Sequence, residues 1–183
     1  MSPETGEFTE PGLSALVRAD YARAAQRIGA RRVPVSEGFW LALDYRLRHR
    51  IWQAEPALVR AVLRVVQWPF HKLIKAITRS GIGPETEIGP GVLFMHFGGV
   101  WINPDSVIGS DCTIFQQVTI TPGGREGAPR IGDRVVLMAG AKVLGGVTIG
   151  DGARVGANAV VIEDVPAGAL AVGNPARVIE PGA

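Results

Sequence analysis

"IGDRVVLMAGAKVLGGVTIGDGARVGANAVV", residues 131–161, returns to the same pattern every six positions. Ile131, Leu137, Val143, Ile149, Val155 and Val161 hold the first place of successive hexapeptides. Val135, Ala141, Val147, Ala153 and Ala159 hold the fifth, and glycine is the commonest second residue. The same register extends back through "IGPETE" and "IGPGVL" from Ile82, and forward to "VGNPAR". A period of six is a signature of a parallel β-helix. Each hexapeptide supplies one short strand and one turn, and three close a triangular coil. The aliphatic first residue points inward, and the fifth must be small where two walls converge. Coils stack so that each strand is hydrogen-bonded by the coils above and below. Ordinary hairpins would instead alternate with period two between irregular turns.

Upstream, the period changes. From Leu13 to Thr78 apolar residues recur at helical spacing in "LSALVRADYARAAQRIGARR", "FWLALDYRLRHRIW" and "EPALVRAVLRVVQW". Ser36 is a candidate N-cap before Glu37. Pro69 is expected to kink or end the third helix, leaving "FHKLIKAIT" as a short fourth piece. The organisation read from these periods is a flexible tail at 1–12, a helical region at 13–80 and a β-helix at 81–183. The tail has no basic or apolar signal region. Apolar stretches are broken by Arg or Lys, so no membrane-spanning helix is expected.

The net charge of +2 hides an asymmetry. Residues 13–80 carry thirteen Lys and Arg against four Asp and Glu, whereas residues 81–183 carry six against ten. The basic residues are spread rather than clustered, which points away from nucleic acid and toward a solvated or subunit-facing surface, or peripheral contact with a membrane. A single cysteine allows no internal disulfide and suits a reducing cytoplasm, where the inner membrane face is within reach.

Two segments break the hexapeptide register. "TPGGREGAPR", residues 121–130, inserts a Gly-rich excursion. "FMHFGGVWIN", residues 94–103, adds two residues, a glycine pair and His96, which has no other histidine downstream. With "MHFGGVWINPDSVIGSDCTIFQQVTI" and "GAKVLGGVTIGDGARVGANAVVIEDVPAGALAVGNPARVI", the chain resembles the hexapeptide-repeat acyltransferases. Within them it is similar to the serine acetyltransferase branch. Its basic helices, "VRADYARA" and "DYRLRHRIW", look more like relatives of the colanic-acid type that acetylate polysaccharide units. The resemblance implies a left-handed parallel β-helix with an N-terminal α-helical region, a homotrimer and acetyl-CoA as cosubstrate. Pairing of two trimers through the helices is left open.

Acyl transfer to a hydroxyl needs a base to accept its proton, a role that suits histidine at neutral pH. His96, Phe97, Gly98 and Gly99 match the family pattern for that base, and the glycines are expected to give the backbone room beside a bulky ligand. The resemblance assigns Ala139, Gly140, Ala157 and Asn158 to the pantetheine arm. It assigns Arg154 and Arg177 to the phosphates of the nucleotide end, with Lys142 a weaker addition. Residues 121–130 resemble the loop that covers the acceptor.

His49 and His71 read as surface or helix-packing residues, and Cys112 as a small buried hydrophobe. With one histidine in the β-helix, no metal site is expected. Serine acetyltransferases carry an aspartate before the catalytic histidine, where this chain has Met95. They carry another at the place of Gly81 and a histidine at the place of Ala128. Those groups hold serine's charges or orient the base. Their joint loss suggests another acceptor, a sugar or similar alcohol, gripped by Trp101, Asn103 and Asp105. Asp105 and Glu85 are the candidates for orienting His96. Serine O-acetylation remains the alternative, and a trimeric scaffold that only presents the basic helices is the alternative from another class.

Overall fold

The computed structural model describes residues 11–96 and 98–180. The chain opens with α1 (Leu13–Ile28), a 3-10 turn (Ala30–Val35), α2 (Glu37–Trp52) and α3 (Ala57–Thr78). Ser36 occupies the N-cap of α2 with extended dihedrals, although its side chain makes no cap hydrogen bond. Contrary to the expectation from sequence, α3 runs unbroken through Pro69. Proline at that position removes the hydrogen bond to the carbonyl of Val65. Both residues face solvent, so water can satisfy the freed carbonyl.

From Gly81 the chain winds as a parallel β-helix with three faces. The first face stacks β1 (Gly81–Ile82), β4 (Trp101–Ile102), β7 (Thr119–Thr121), β10 (Lys142–Leu144) and β13 (Val160–Val161). The second stacks β2 (Glu87–Ile88), β5 (Val107–Ile108), β8 (Arg130–Ile131) and β11 (Thr148–Ile149). The third stacks β3 (Leu93–Met95), β6 (Thr113–Phe115), β9 (Val136–Leu137), β12 (Arg154–Val155), β14 (Leu170–Val172) and β15 (Arg177–Ile179). All pairings are parallel except β14 with β15, which folds back antiparallel and finishes the third face.

The hexapeptide logic accounts for the core. The first-position residues Ile102, Ile114, Ile120, Leu137, Val143 and Ile149 are all buried. So are the fifth-position residues Val118, Val135, Ala141, Val147, Ala153 and Ala159. Thr86, Ser106 and Cys112 occupy the same inward place in the early coils. Cys112 Sγ lies 3.1 Å from the Gly132 carbonyl, as a donor. Burial is the largest of the influences that push its thiol pKa up to about 11, so it has no thiolate character near neutrality.

A β-helix exposes unpaired carbonyls at its first coil, and the helical region covers them. Arg46 of α2 is fully buried and donates to the Ile88 and Gly89 carbonyls at 2.5 and 2.6 Å. Its guanidinium also makes a two-pronged pair with Asp20 of α1 at 2.9 and 3.1 Å. Asp20 in turn accepts the Val92 amide at 3.0 Å. Tyr45 donates to the Thr86 carbonyl, and His49 Nδ1 sits 2.7 Å from the Pro84 carbonyl. His49 is thus a buried packing residue, as the sequence suggests. A buried ion pair of this kind is favourable only because its remaining hydrogen-bond positions are filled, which here locks α1 and α2 to the coil end.

Candidate active site

His96 follows β3 directly, at the corner where the third face turns into the first. Its backbone is left-handed, with φ of 63°, an uncommon state for a residue with a side chain. The ring is exposed and lies 5.7 Å from the ring of Phe115 on β6, tilted by 41°. Among the described residues it has no hydrogen-bond partner. Phe97 lies outside the described residues.

The glycine pair after His96 serves the scaffold. Gly98 and Gly99 both have positive φ, at 71° and 76°. A Cβ on Gly98 would collide with the Thr78 carbonyl at the end of α3, and Gly99 donates its amide to that same carbonyl at 3.0 Å. The room expected for a ligand is therefore taken by the chain itself. The same corner continues in register. Gln117 donates to the Gly98 carbonyl, Gly140 to Gln116 and Asn158 to Ala139, at 3.0, 2.9 and 2.9 Å. Gly140 is required here, because a Cβ would collide with the Asn158 amide oxygen. Gly140 and Asn158 thus build the corner that carries Ala139 and Ala157.

Beside that corner, the third face holds a groove of about 530 Å³. Phe115, Met138, Ala139, Arg154 and Ala157 line its floor, and Arg23, Gln26 and Arg27 of α1 wall one side. Phe115 joins the groove to His96. Three of the expected donor residues, Ala139, Ala157 and Arg154, are therefore together. Arg177 lies on β15, on the same face but beyond the groove lining, and Lys142 lies on the first face, away from it. Strands stack about 4.8 Å apart, so β3 to β12 spans roughly 14 Å and β3 to β15 roughly 24 Å. The α1 wall is absent from the sequence reading. Arg23 donates to the Asp111 carbonyl at 3.0 Å, and its Nε is buried with no partner among the described residues. Helical spacing alone could not indicate that Arg23 and Arg27 face this groove.

A second hollow of about 410 Å³ opens on the first face, between β1, β4 and β7 and the helices above. Trp101 and Asn103 line it with Thr119 and Thr121, beneath Arg48, His71 and Lys75. Two of the three expected acceptor residues thus share a cavity. Asp105 does not line it. Its amide donates to Asn103 Oδ1 at 2.9 Å, which commits that oxygen to the turn. Glu85 and Asp105 both sit where the first face turns into the second, one strand away from the corner of His96. Neither is placed to orient it, because a hexapeptide step moves the chain from one corner to the next. His71, read from sequence as a surface or packing residue, has a specific partner. Its Nδ1 lies 2.9 Å from Asp44, which is buried and also accepts Arg48 at 3.0 Å and Gln67 at 2.7 Å. Among the described residues no cluster of side chains could hold a metal ion.

The loop at residues 121–130 folds over the corner between the first and second faces. Arg125 pairs with Asp164 at 3.0 Å, and Asp164 also accepts the Thr148 amide at 2.8 Å. That amide contact leads the influences that hold the Asp164 carboxyl below the usual range.

Residues 128–163 match the model of the bacterial transferase hexapeptide family, six repeats. The serine acetyltransferase of Helicobacter pylori is 38% identical over 145 residues, 78% of this chain and 81% of that protein. The chain belongs to the serine acetyltransferase family. The soybean family member complexed with serine superposes with a TM-score of 0.78 at 35% identity, over 93% of this chain and 71% of that one. A serine acetyltransferase in complex with CoA gives 0.77 at 30% identity, over 91% and 69%. A match of 145 residues within 183 has to include the His96 corner wherever it begins.

Proposed function

We propose that this chain is an acetyl-CoA-dependent serine O-acetyltransferase, with His96 as general base. The observation that carries it is family membership across four-fifths of the H. pylori enzyme, joined to an exposed histidine whose ring lies 5.7 Å from that of Phe115, a residue lining a cation-walled groove. The acceptor oxygen attacks the thioester carbonyl as His96 takes its proton. The carbon–sulfur bond then breaks, and the imidazolium returns the proton to the departing thiolate. The groove on the third face is the donor site, with Arg154, Arg23 and Arg27 toward the phosphates and Ala139 and Ala157 along the pantetheine arm. Arg177 lies further along the same face and is proposed to meet the nucleotide end.

A sugar or other larger alcohol is the second reading, and the relatives support it less well than serine. One observation favours it. The indole of Trp101 lies over Gly81, where serine acetyltransferases place a carboxylate side chain. Together with Met95 and Ala128, this leaves serine's ammonium without an evident partner. The basic helices add a likeness to polysaccharide-modifying relatives. Thiol release from acetyl-CoA, measured with serine and with a panel of sugars, separates the two. Turnover with serine alone removes the second reading, and turnover with sugars alone removes the first. Transfer that survives His96→Ala with any acceptor would falsify the role of His96 and turn the chain toward the scaffold reading.

We infer a homotrimer acting in the cytoplasm. The loop at 121–130 and His96 lie at opposite edges of the first face of one chain. If that loop covers the acceptor, it comes from a neighbouring copy. Light scattering gives the mass, and a monomer at assay concentration removes this inference.

A further inference from the structure

Among the described residues, nine of the seventeen large exposed hydrophobic side chains lie on α3, and the charge pattern there says what fits against them. Only Ile74 and Thr78 are buried along its 22 residues. Leu58, Val65 and Val66 are 76%, 74% and 73% exposed, and Val62, Leu73 and Ile77 are exposed beside them. At 3.6 residues per turn these side chains occupy one arc of roughly 120°, turned away from the side that carries Ile74 and Thr78. Along one edge of that arc run Arg64, Lys72 and Lys75. No carboxylate among the described residues pairs with them, and α3 contains no Asp or Glu at all. Arg60 differs, being held by Glu55 at 3.1 Å. Trp68 lies on the same edge, exposed, with the Lys72 ammonium 5.5 Å from its ring centre.

An apolar stripe bordered by uncompensated cations and a tryptophan is the arrangement of a helix that lies in a membrane interface. Its apolar face enters the acyl boundary, and its cations meet anionic headgroups. No helix among the described residues is long and apolar enough to cross a membrane. A second copy docked by the same face is disfavoured by charge, since it would bring three more unpaired cations and no carboxylate to the contact. We propose that α3 docks this protein on an anionic lipid surface, lying in the plane of the bilayer with Val62, Val65, Val66 and Leu73 inward.

The test uses the full chain and vesicles of phosphatidylcholine, with or without phosphatidylglycerol, read by co-sedimentation. The expected result is binding to the anionic vesicles that weakens as salt is raised. Arg64→Ala with Lys72→Ala lowers the partition coefficient roughly thirtyfold, as expected for two surface cations. Val65→Asp with Val66→Asp abolishes binding, while Arg130→Ala, a cation removed from the β-helix, leaves it unchanged. These side chains are exposed, and circular dichroism with acetyl transfer to a soluble acceptor verifies that the variants fold. Equal partition into neutral and anionic vesicles, or none into either, overturns the proposal. So does a concentration-dependent mass that Val65→Asp with Val66→Asp reduces, which assigns the face to another copy of the chain.

Discussion

The indole of Trp101 covers Gly81: a Cβ built on Gly81 would lie 2.5 Å from Trp101 Cζ3 and 2.6 Å from Cε3. β1 and β4 are in register here, Gly81 opposite Trp101, so the two residues are directly stacked. A side chain at 81 therefore has to displace the half-exposed indole of Trp101. Gly81→Asp alone is overpacked, which costs about 1–3 kcal/mol. At this chain length that lowers Tm by about 5 °C. The double variant Gly81→Asp with Trp101→Val recovers most of the loss. Kinetics on the same proteins report on the acceptor. For serine, the double variant retains or raises kcat/KM, whereas for a larger alcohol Trp101→Val lowers it about tenfold through lost aromatic contact. Independent additivity of the two substitutions in Tm would show that the indole does not depend on Gly81.

His96 is the only histidine of the β-helix, its exposed ring lies 5.7 Å from that of Phe115, which lines the groove, and it is the residue we propose as the base. His96→Ala is expected to lower kcat by roughly 10²–10⁴ with little change in the KM for acetyl-CoA. Thermal stability is expected to hold, because an exposed ring against Phe115 contributes little packing. A large Tm loss would recast His96 as a structural residue.

Much of this could be read before the structure because burial in a β-helix is a local rule. Ile114, Val118 and Ile120 are fully buried for reasons set by their places in the hexapeptide, not by distant partners. What escaped the sequence depends on contacts between remote segments. Arg46 meets Ile88 across 42 residues, and Arg23 meets Asp111 across 88. No spacing rule pairs them. Gly98 looked like room for a ligand, yet it is fixed by the Thr78 carbonyl from a different element. Pro69 looked like a helix end because its exposure, which makes the lost hydrogen bond cheap to replace, is a tertiary property. Asp105 and Glu85 looked near His96 in number, but the coil carries them to another corner.

The cap over the first coil makes a stability prediction. Arg46→Met leaves the Asp20 carboxylate buried with the Ile88 and Gly89 carbonyls unpaired. Breaking one side of such a pair costs about 3–5 kcal/mol. A Tm about 10 °C lower is expected for a chain of this size. Replacing both partners with Asp20→Leu and Arg46→Met is expected to recover part of the loss, since no lone charge remains. A neutral single variant in thermal unfolding would remove the cap from the stability account.

Cys112 gives a pH dependence with a definite sign. Its thiol pKa rises from 9.0 to about 11, with burial the first cause. Below pH 9 the thiol is protonated in both folded and unfolded chains, so it adds no slope. Between about 9 and 11 the unfolded chain releases the proton and the folded chain keeps it. Stability therefore falls with pH across that window, by about 2–3 kcal/mol in all. Cys112→Ala is expected to flatten this part of the Tm-against-pH curve. At neutral pH the native thiol is expected to resist iodoacetamide, with activity unchanged after treatment. Rapid labelling of folded protein at pH 7 would contradict the burial on which the sign depends.

The last prediction concerns the α1 wall of the groove. Arg23 Nε is buried beside the groove without a partner, and Arg154 stands across the floor on β12. A phosphate between them would accept charge-assisted hydrogen bonds from both sides. Bonds to charged groups contribute about 1.5–3 kcal/mol, and partial exposure of Arg154 to solvent reduces its share. Arg154→Ala is expected to raise the KM for acetyl-CoA about tenfold while kcat changes little, because the contact is made equally in ground and transition states. Arg23→Ala follows the same pattern and adds a stability loss, since its other nitrogen holds the Asp111 carbonyl. Arg23→Lys separates the two roles: it keeps charge at the groove but loses the forked geometry. Acetyl-dephospho-CoA and acetylpantetheine, used as truncated donors, locate the effect. If Arg23 and Arg154 act on phosphate, their substitution no longer matters for acetylpantetheine. An unchanged penalty with that donor would place both arginines away from the nucleotide end and require the groove to be read in the opposite direction.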